Sequence, residues 1–209
     1  MKKLFVILIF VVVSNASFAA NVKGFYTFTM TVERNGEEVE SGIEMVKAET
    51  KFCQGLYADT INILGFSWFI LPTHLFVGIK NYGNRSIKLI WDESAYISTK
   101  NRSCKVFHSG VDPSDRDKEQ LPSTIVRGAT FKDIIIPTAN VSHSPILNDW
   151  EYYYLLDFNN GGQDGEVIKV MLTLKDGDET IEYIFAFHLK YNKAKIKTYF
   201  NDGLCYYKQ

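Results

Sequence analysis

Cysteine is scarce. Only Cys53, Cys104 and Cys205 occur in 209 residues, too far apart for a zinc-binding Cys-x-x-Cys. The four histidines, His74, His108, His143 and His188, never fall four positions apart, so the usual helical metal pair is missing as well. There is no Gly-x-Ser-x-Gly elbow, no phosphate loop and no dinucleotide fingerprint. These gaps remove the common signatures of metal, nucleotide and serine-hydrolase chemistry, and no cofactor or metal is expected. Excess charge is lacking too. With 23 basic and 24 acidic residues the chain has no basic footprint for nucleic acid. The longest apolar run, Leu4 to Val13, has ten residues, well short of the ~18 that a membrane helix needs. Five prolines leave no proline-rich linker. No long segment has helical periodicity.

The N-terminus carries an address. Lys2 and Lys3 precede the apolar run, and Ser17–Phe18–Ala19 places small residues at −3 and −1 of a signal-peptidase site. Residues 1–19 read as a secretory signal peptide of bacterial type, cut after Ala19. The mature chain, 20–209, is expected in the periplasm or outside the cell as one domain. Its three cysteines allow one bridge and one free thiol, with three pairings open.

What the chain has is alternation. Its centre is Ile87 to Gly110. Ile87, Leu89, Trp91, Ala95 and Ile97 share one face of a strand, and Lys88, Asp92, Ser94 and Tyr96 share the other. A polar turn, 98–103, leads to a second strand bearing Cys104, Val106 and His108. Trp91 is expected as a structural core anchor. His108, beside Ser109–Gly110, is expected as a buried, hydrogen-bonded structural residue rather than a general base. Asp92 and Glu93 should point to opposite faces, a poor carboxylate pair.

Elsewhere the signs are the same. Residues 25–33 alternate into Asn35–Gly36, the strongest short hairpin signal, so 25–47 reads as an N-terminal hairpin that embellishes or edges the main sheet. Ile168 to Leu174 and Ile181 to Leu189 alternate about Asp176–Gly177 and predict a second hairpin. Residues 111–124 form a charged loop. Its Asp115-x-Asp117 spacing lacks the Gly and closing Glu of a calcium loop. Val141 to Trp150 looks irregular, and residues 141–158 are the one place where a short helix is allowed. Trp150 with Tyr152, Tyr153 and Tyr154 could stack on carbohydrate, but strand alternation would split the tyrosines between faces. Core packing plus one or two exposed rings is the simpler expectation.

The runs N-x-x-N-R-S-I-K-L-I-W-D-E-S-A-Y-I, C-K-V-F-H-S-G-V and I-V-R-G-A-T-F-K-D-I-I-I-P-T, with a match that covers about residues 66–138 and the last hairpin, resemble a group of bacterial exported proteins and lipoproteins of unestablished function. The resemblance implies an immunoglobulin-like sandwich and transfers no catalytic residue. The chain departs from that pattern in lacking a lipidation cysteine and in having Cys104 where the group usually has Arg.

The fold expected is therefore all-β, an antiparallel immunoglobulin-like sandwich of seven or more strands, with a closed barrel as the runner-up. The function expected is non-enzymatic binding of a protein or envelope component. The alternatives are a barrel-like carrier of a lipid or other apolar ligand, and a cryptic hydrolase centred on His108 with Asp92.

Overall fold

A computed structural model describes residues 19–39, 55–61, 63–158, 160–201 and 204–208. The strands among them are β1 (Ala19–Arg34), β2 (Glu37–Glu38), β3 (Gly55–Ile61), β4 (Leu64–Ile70), β5 (Leu75–Asn81), β6 (Ile87–Ile97) and β7 (Ser103–Phe107). They continue as β8 (Ser123–Ile125), β9 (Thr130–Pro137), β10 (Val141–Ser144), β11 (Asp149–Tyr152), β12 (Val167–Asp176), β13 (Glu179–Asn201) and β14 (Leu204–Lys208). Among the described residues, helix is confined to 3-10 turns at Pro113–Asp115 and Thr138–Asn140. The protein is all-β, and its strand pairings are antiparallel.

One hydrogen-bonded path runs β2-β1-β13-β12-β6-β7-β9-β5-β4-β3, with β8 beside β6 and β14 beside β13. Among the described residues the path is open, ending at β2 and β3, and closes no barrel. It folds back on itself, so that β4 faces β13. Phe66 and Trp68 on β4 each stand 4.8 Å from the Phe185 ring, and Trp68 meets Phe187 edge-on at 5.3 Å. Such pairs add about 0.5–1.5 kcal/mol each beyond the area they bury.

Alternation explains these strands. On β12, Ile168, Val170, Leu172 and Leu174 are buried. On β13, Ile181, Tyr183, Phe185, Phe187 and Leu189 are buried. The turn between them carries Gly177 at φ 63°, a conformation that glycine adopts freely. On β1, Tyr26, Phe28, Met30 and Val32 face the core, and the strand pairs along β13 rather than projecting from the sheet. Asn35 and Gly36 both have positive φ, as a type I′ hairpin turn requires. Residues 40–47 of this hairpin lie outside the described residues.

The central strand departs from strict alternation. Ile87, Leu89 and Trp91 are buried, but Ser94 and Tyr96 then take the inner face, while Ala95 and Ile97 are only half-buried. The expected face is thus reversed after Asp92. The cause is a bulge: Ile90 pairs with Thr173 and Ala95 with Met171, so β6 carries three more residues than β12 over that interval. Its loose backbone groups are satisfied locally. Ser94 Oγ donates to the Ile90 carbonyl at 2.8 Å and accepts from Thr173 N at 3.2 Å, while Thr173 Oγ1 donates to the Glu93 carbonyl at 2.8 Å.

β7 joins the two halves of the path. Val106 enters the main core, whereas Phe107 packs in a second small cluster with Ile136 and Val141. Residues 141–152 form the two-stranded sheet β10–β11 in place of an irregular stretch or short helix. Cys104 is a half-buried free thiol opposite Tyr96. Cys53 lies outside the described residues, as do residues 1–18 of the expected signal peptide.

Candidate functional site

His108 follows the end of β7, and β9 lies alongside, pairing through Phe107 and Ile136. This brings Asp133 of β9 to His108, with Nδ1 to Oδ2 at 3.3 Å and the two side chains 17% and 8% exposed. The other carboxylate oxygen, Oδ1, accepts from Ser109 N at 3.1 Å, Ser109 Oγ at 2.7 Å and Ile134 N at 2.8 Å. The imidazole lies flat on Trp91, centroids 4.6 Å apart and planes 14° apart. Trp91 Nε1 in turn donates to Ser123 Oγ at 2.9 Å. Gly110 N sits 3.4 Å from His108 Nδ1, and a side chain at position 110 would crowd the ring.

This constellation contains Ser, His and Asp, but in the wrong order for nucleophilic catalysis. A triad needs the hydroxyl on the imidazole and the carboxylate behind it. Here the carboxylate is central, and the Ser109 hydroxyl donates to it rather than to His108. The carboxylate expected beside His108, Asp92, is engaged elsewhere. It meets Lys105 Nζ at 3.4 Å and accepts from Gln120 N at 3.0 Å. Gln120 is buried and donates through Nε2 to the Val106 carbonyl at 2.7 Å, so the 111–124 loop is tied to β6 and β7 near its end. Asp115 and Asp117 pair with Lys118 and Arg116. No cluster able to hold a metal ion is found among the described residues, and none of their helices is long and apolar enough to cross a membrane.

The other histidines stand apart. His188 is exposed beside Thr31 Oγ1, and His143 is exposed on β10. His74 is half-buried with Thr73 Oγ1 at 3.0 Å from Nδ1, and burial holds its imidazole below the usual value. At pH below about 6.5 the unfolded chain therefore takes up a proton that folded His74 resists, so stability falls as the solution is acidified. The expected result is that His74→Gln loses less of its urea midpoint between pH 7.5 and 5.5 than the native chain. Equal losses would contradict it.

Among the described residues, the most exposed apolar feature is the β10–β11 hairpin. Its underside is anchored: Val141 and Trp150 pack toward Phe107 and Ile136, and the Arg116 guanidinium lies 5.1 Å over the Trp150 ring. Its exit is tied by Tyr153 N to the Asn140 carbonyl at 2.8 Å and by Leu155 N to the Pro72 carbonyl at 2.7 Å, before Leu155 and Leu156 enter the core. Its tip is apolar instead of polar, with Ile146 95% and Leu147 68% exposed. Tyr152, Tyr153 and Tyr154 are also all exposed, Tyr154 by 67%. Strand alternation does not bury any of the three, because β11 ends at Tyr152 and leaves Tyr153 and Tyr154 beyond it. The Tyr153 hydroxyl bonds Ser142 Oγ at 2.8 Å and Glu151 at 3.3 Å. Partial burial, with the nearby carboxylates of Asp112 and Asp149, raises the Tyr152 phenol above its ordinary value. The ring surface is thus edged by acid.

No protein-family model, curated protein or solved structure matches the chain. The hairpin did leave a trace in the sequence. Ile146–Leu147 sits between the turn formers Pro145 and Asn148, where two large apolar side chains have no local reason to be. Asp133 left one as well, sharing the parity of Phe131 and Ile135 on an otherwise apolar strand face.

Proposed function

We propose that this is an exported, non-enzymatic binding protein that docks on a protein partner of the cell envelope through the β10–β11 hairpin. The observation that carries this reading is the exposed Ile146–Leu147 tip on an anchored hairpin. Burying two such side chains in a partner is worth about 1.5–3 kcal/mol each, and a hairpin fixed at its base loses little freedom on docking. Tyrosine is enriched at binding hot spots, and three are exposed at the base of the hairpin. Asp112, Asp149 and Glu151 at its margin favour a partner surface that is apolar at its centre and basic at its rim. Export to the periplasm or beyond is supported by Lys2, Lys3, the apolar run and Ser17–Phe18–Ala19. An immunoglobulin-like sandwich is supported by the ring contacts between β4 and β13.

The test is the double variant Ile146→Asp, Leu147→Asp. Exposed positions change stability little, within about 0.5 kcal/mol, so the melting temperature should hold. Capture of the envelope partner should fall roughly thirtyfold, the loss of a hot spot of about 2 kcal/mol. Capture of the same protein in equal yield by the double variant would refute the reading.

A further inference from the structure

The ladder registers line up one row of side chains across six strands. Glu38 of β2 pairs with Glu33 of β1, Glu33 with Ile184 of β13, and Ile184 with Met171 of β12. Met171 pairs with Ala95 of β6, and Ala95 with Lys105 of β7. From Glu33 to Lys105 the row points away from the main core, because the strand neighbours Val32, Tyr183, Leu172, Tyr96 and Val106 all point into it. Ile184, Met171 and Ala95 are half-buried on this outer face. Among the described residues, Ile184 and Met171 pack into neither apolar cluster, and Ile97 in the next row does not either.

The charges are segregated at the two ends of the row. Glu33 and Glu38 stand directly opposite each other, and neither has an ion-pair partner among the described residues. Like charges so placed destabilise a ladder. At the other end Lys105, 47% exposed, meets Asp92 at 3.4 Å, and its ammonium has further donors for a second carboxylate. Lys169, between Ala186 and Ile97 in the next row, has no ion-pair partner among the described residues. The face therefore reads acid, apolar, base.

Such a row is complementary to itself when reversed. We propose that the outer face of β1, β13, β12, β6 and β7 is the contact surface of a symmetric dimer of this chain, with the two-fold axis along the strands between β12 and β13. The rotation lays Ile184 on Met171 of the second copy. It brings Glu33 and Glu38 toward the second copy's Lys105 and Lys169, which relieves the acidic pair. Each contact occurs twice, as in any isologous interface. With strands ~4.8 Å apart and same-face residues ~7 Å apart along them, the patch measures about 24 by 20 Å. The pair then covers roughly 1,000 Å², the low end for a specific interface, so the dimer is reversible. The surface shares no residue with the β10–β11 hairpin and does not depend on its role.

Sedimentation of the full chain, processed as the cell processes it, tests this from about 1 μM to about 1 mM, the span of weak association. A monomer–dimer equilibrium is expected. Met171→Arg, at the centre, should weaken it at least about tenfold with the melting temperature kept. So should the charge reversals Glu33→Lys with Glu38→Lys in one chain, and Lys105→Glu in another. Mixing those two reversed chains should restore dimers, because both charged contacts of the mixed pair are then of opposite sign. A native chain that stays monomeric throughout, folded variants that dimerise as the native chain does, or reversed chains that fail to pair when mixed would each overturn the proposal.

Discussion

Trp91→Ala should lower the stability of the fold by about 3–5 kcal/mol, the range for emptying a large buried aromatic site. Trp91 has no exposed surface and belongs to the main core. It also carries two directed contacts. Its Nε1 holds Ser123 Oγ at the start of β8, and its ring is the floor on which His108 lies. The substitution leaves a cavity, an orphaned hydroxyl and an unsupported imidazole together. For a domain of this size each kcal/mol shifts the melting temperature by about 2–4 °C, so a fall of about 6–20 °C is expected. Trp91→Phe, which keeps a ring under His108, should cost less than half as much. A midpoint unchanged by Trp91→Ala would mean that the ring is not a core anchor.

Asp133→Ala should be nearly as damaging, at about 3 kcal/mol. The carboxylate is buried and accepts two backbone N–H groups and one hydroxyl besides facing His108. Removing it leaves those donors unpaired, at about 1–3 kcal/mol for each buried group left unsatisfied. Asp133→Asn retains an oxygen for the Ser109 and Ile134 amides and should lose about half as much, since it forfeits only the charge assistance. Urea denaturation distinguishes this from a chemical role. A catalytic carboxylate can be removed with little effect on folding. A midpoint unmoved by Asp133→Ala would release the His–Asp pair from its structural account and return it to proton transfer.

The all-β, antiparallel character was legible because alternation is local. β12 and β13 could be read with their turn, since each inward residue is two positions from the next and Asp176–Gly177 sits between them. The inner face of β6 beyond Asp92 was not legible. A bulge is set by the partner strand, and Thr173 is distant in sequence from Ser94 and Glu93. His108 could be singled out, but not its partner. Nearness in sequence favoured Asp92, whereas the pairing of β7 with β9 delivers Asp133. The hairpin was obscured because its strands are only four residues each and its tip replaces polar turn residues with Ile and Leu.

The central claim, that this protein acts by docking through its aromatic hairpin, is tested most directly by a photo-crosslinking side chain placed at Ile146 in living cells. Val126, also apolar and exposed but on the segment after β8, serves as the control position. The account predicts a discrete crosslink to one envelope protein from position 146, lost when Leu147 is changed to Asp, and none to that protein from position 126. Crosslinking to the same protein in equal yield from both positions, or no protein crosslink at all from position 146, would contradict it.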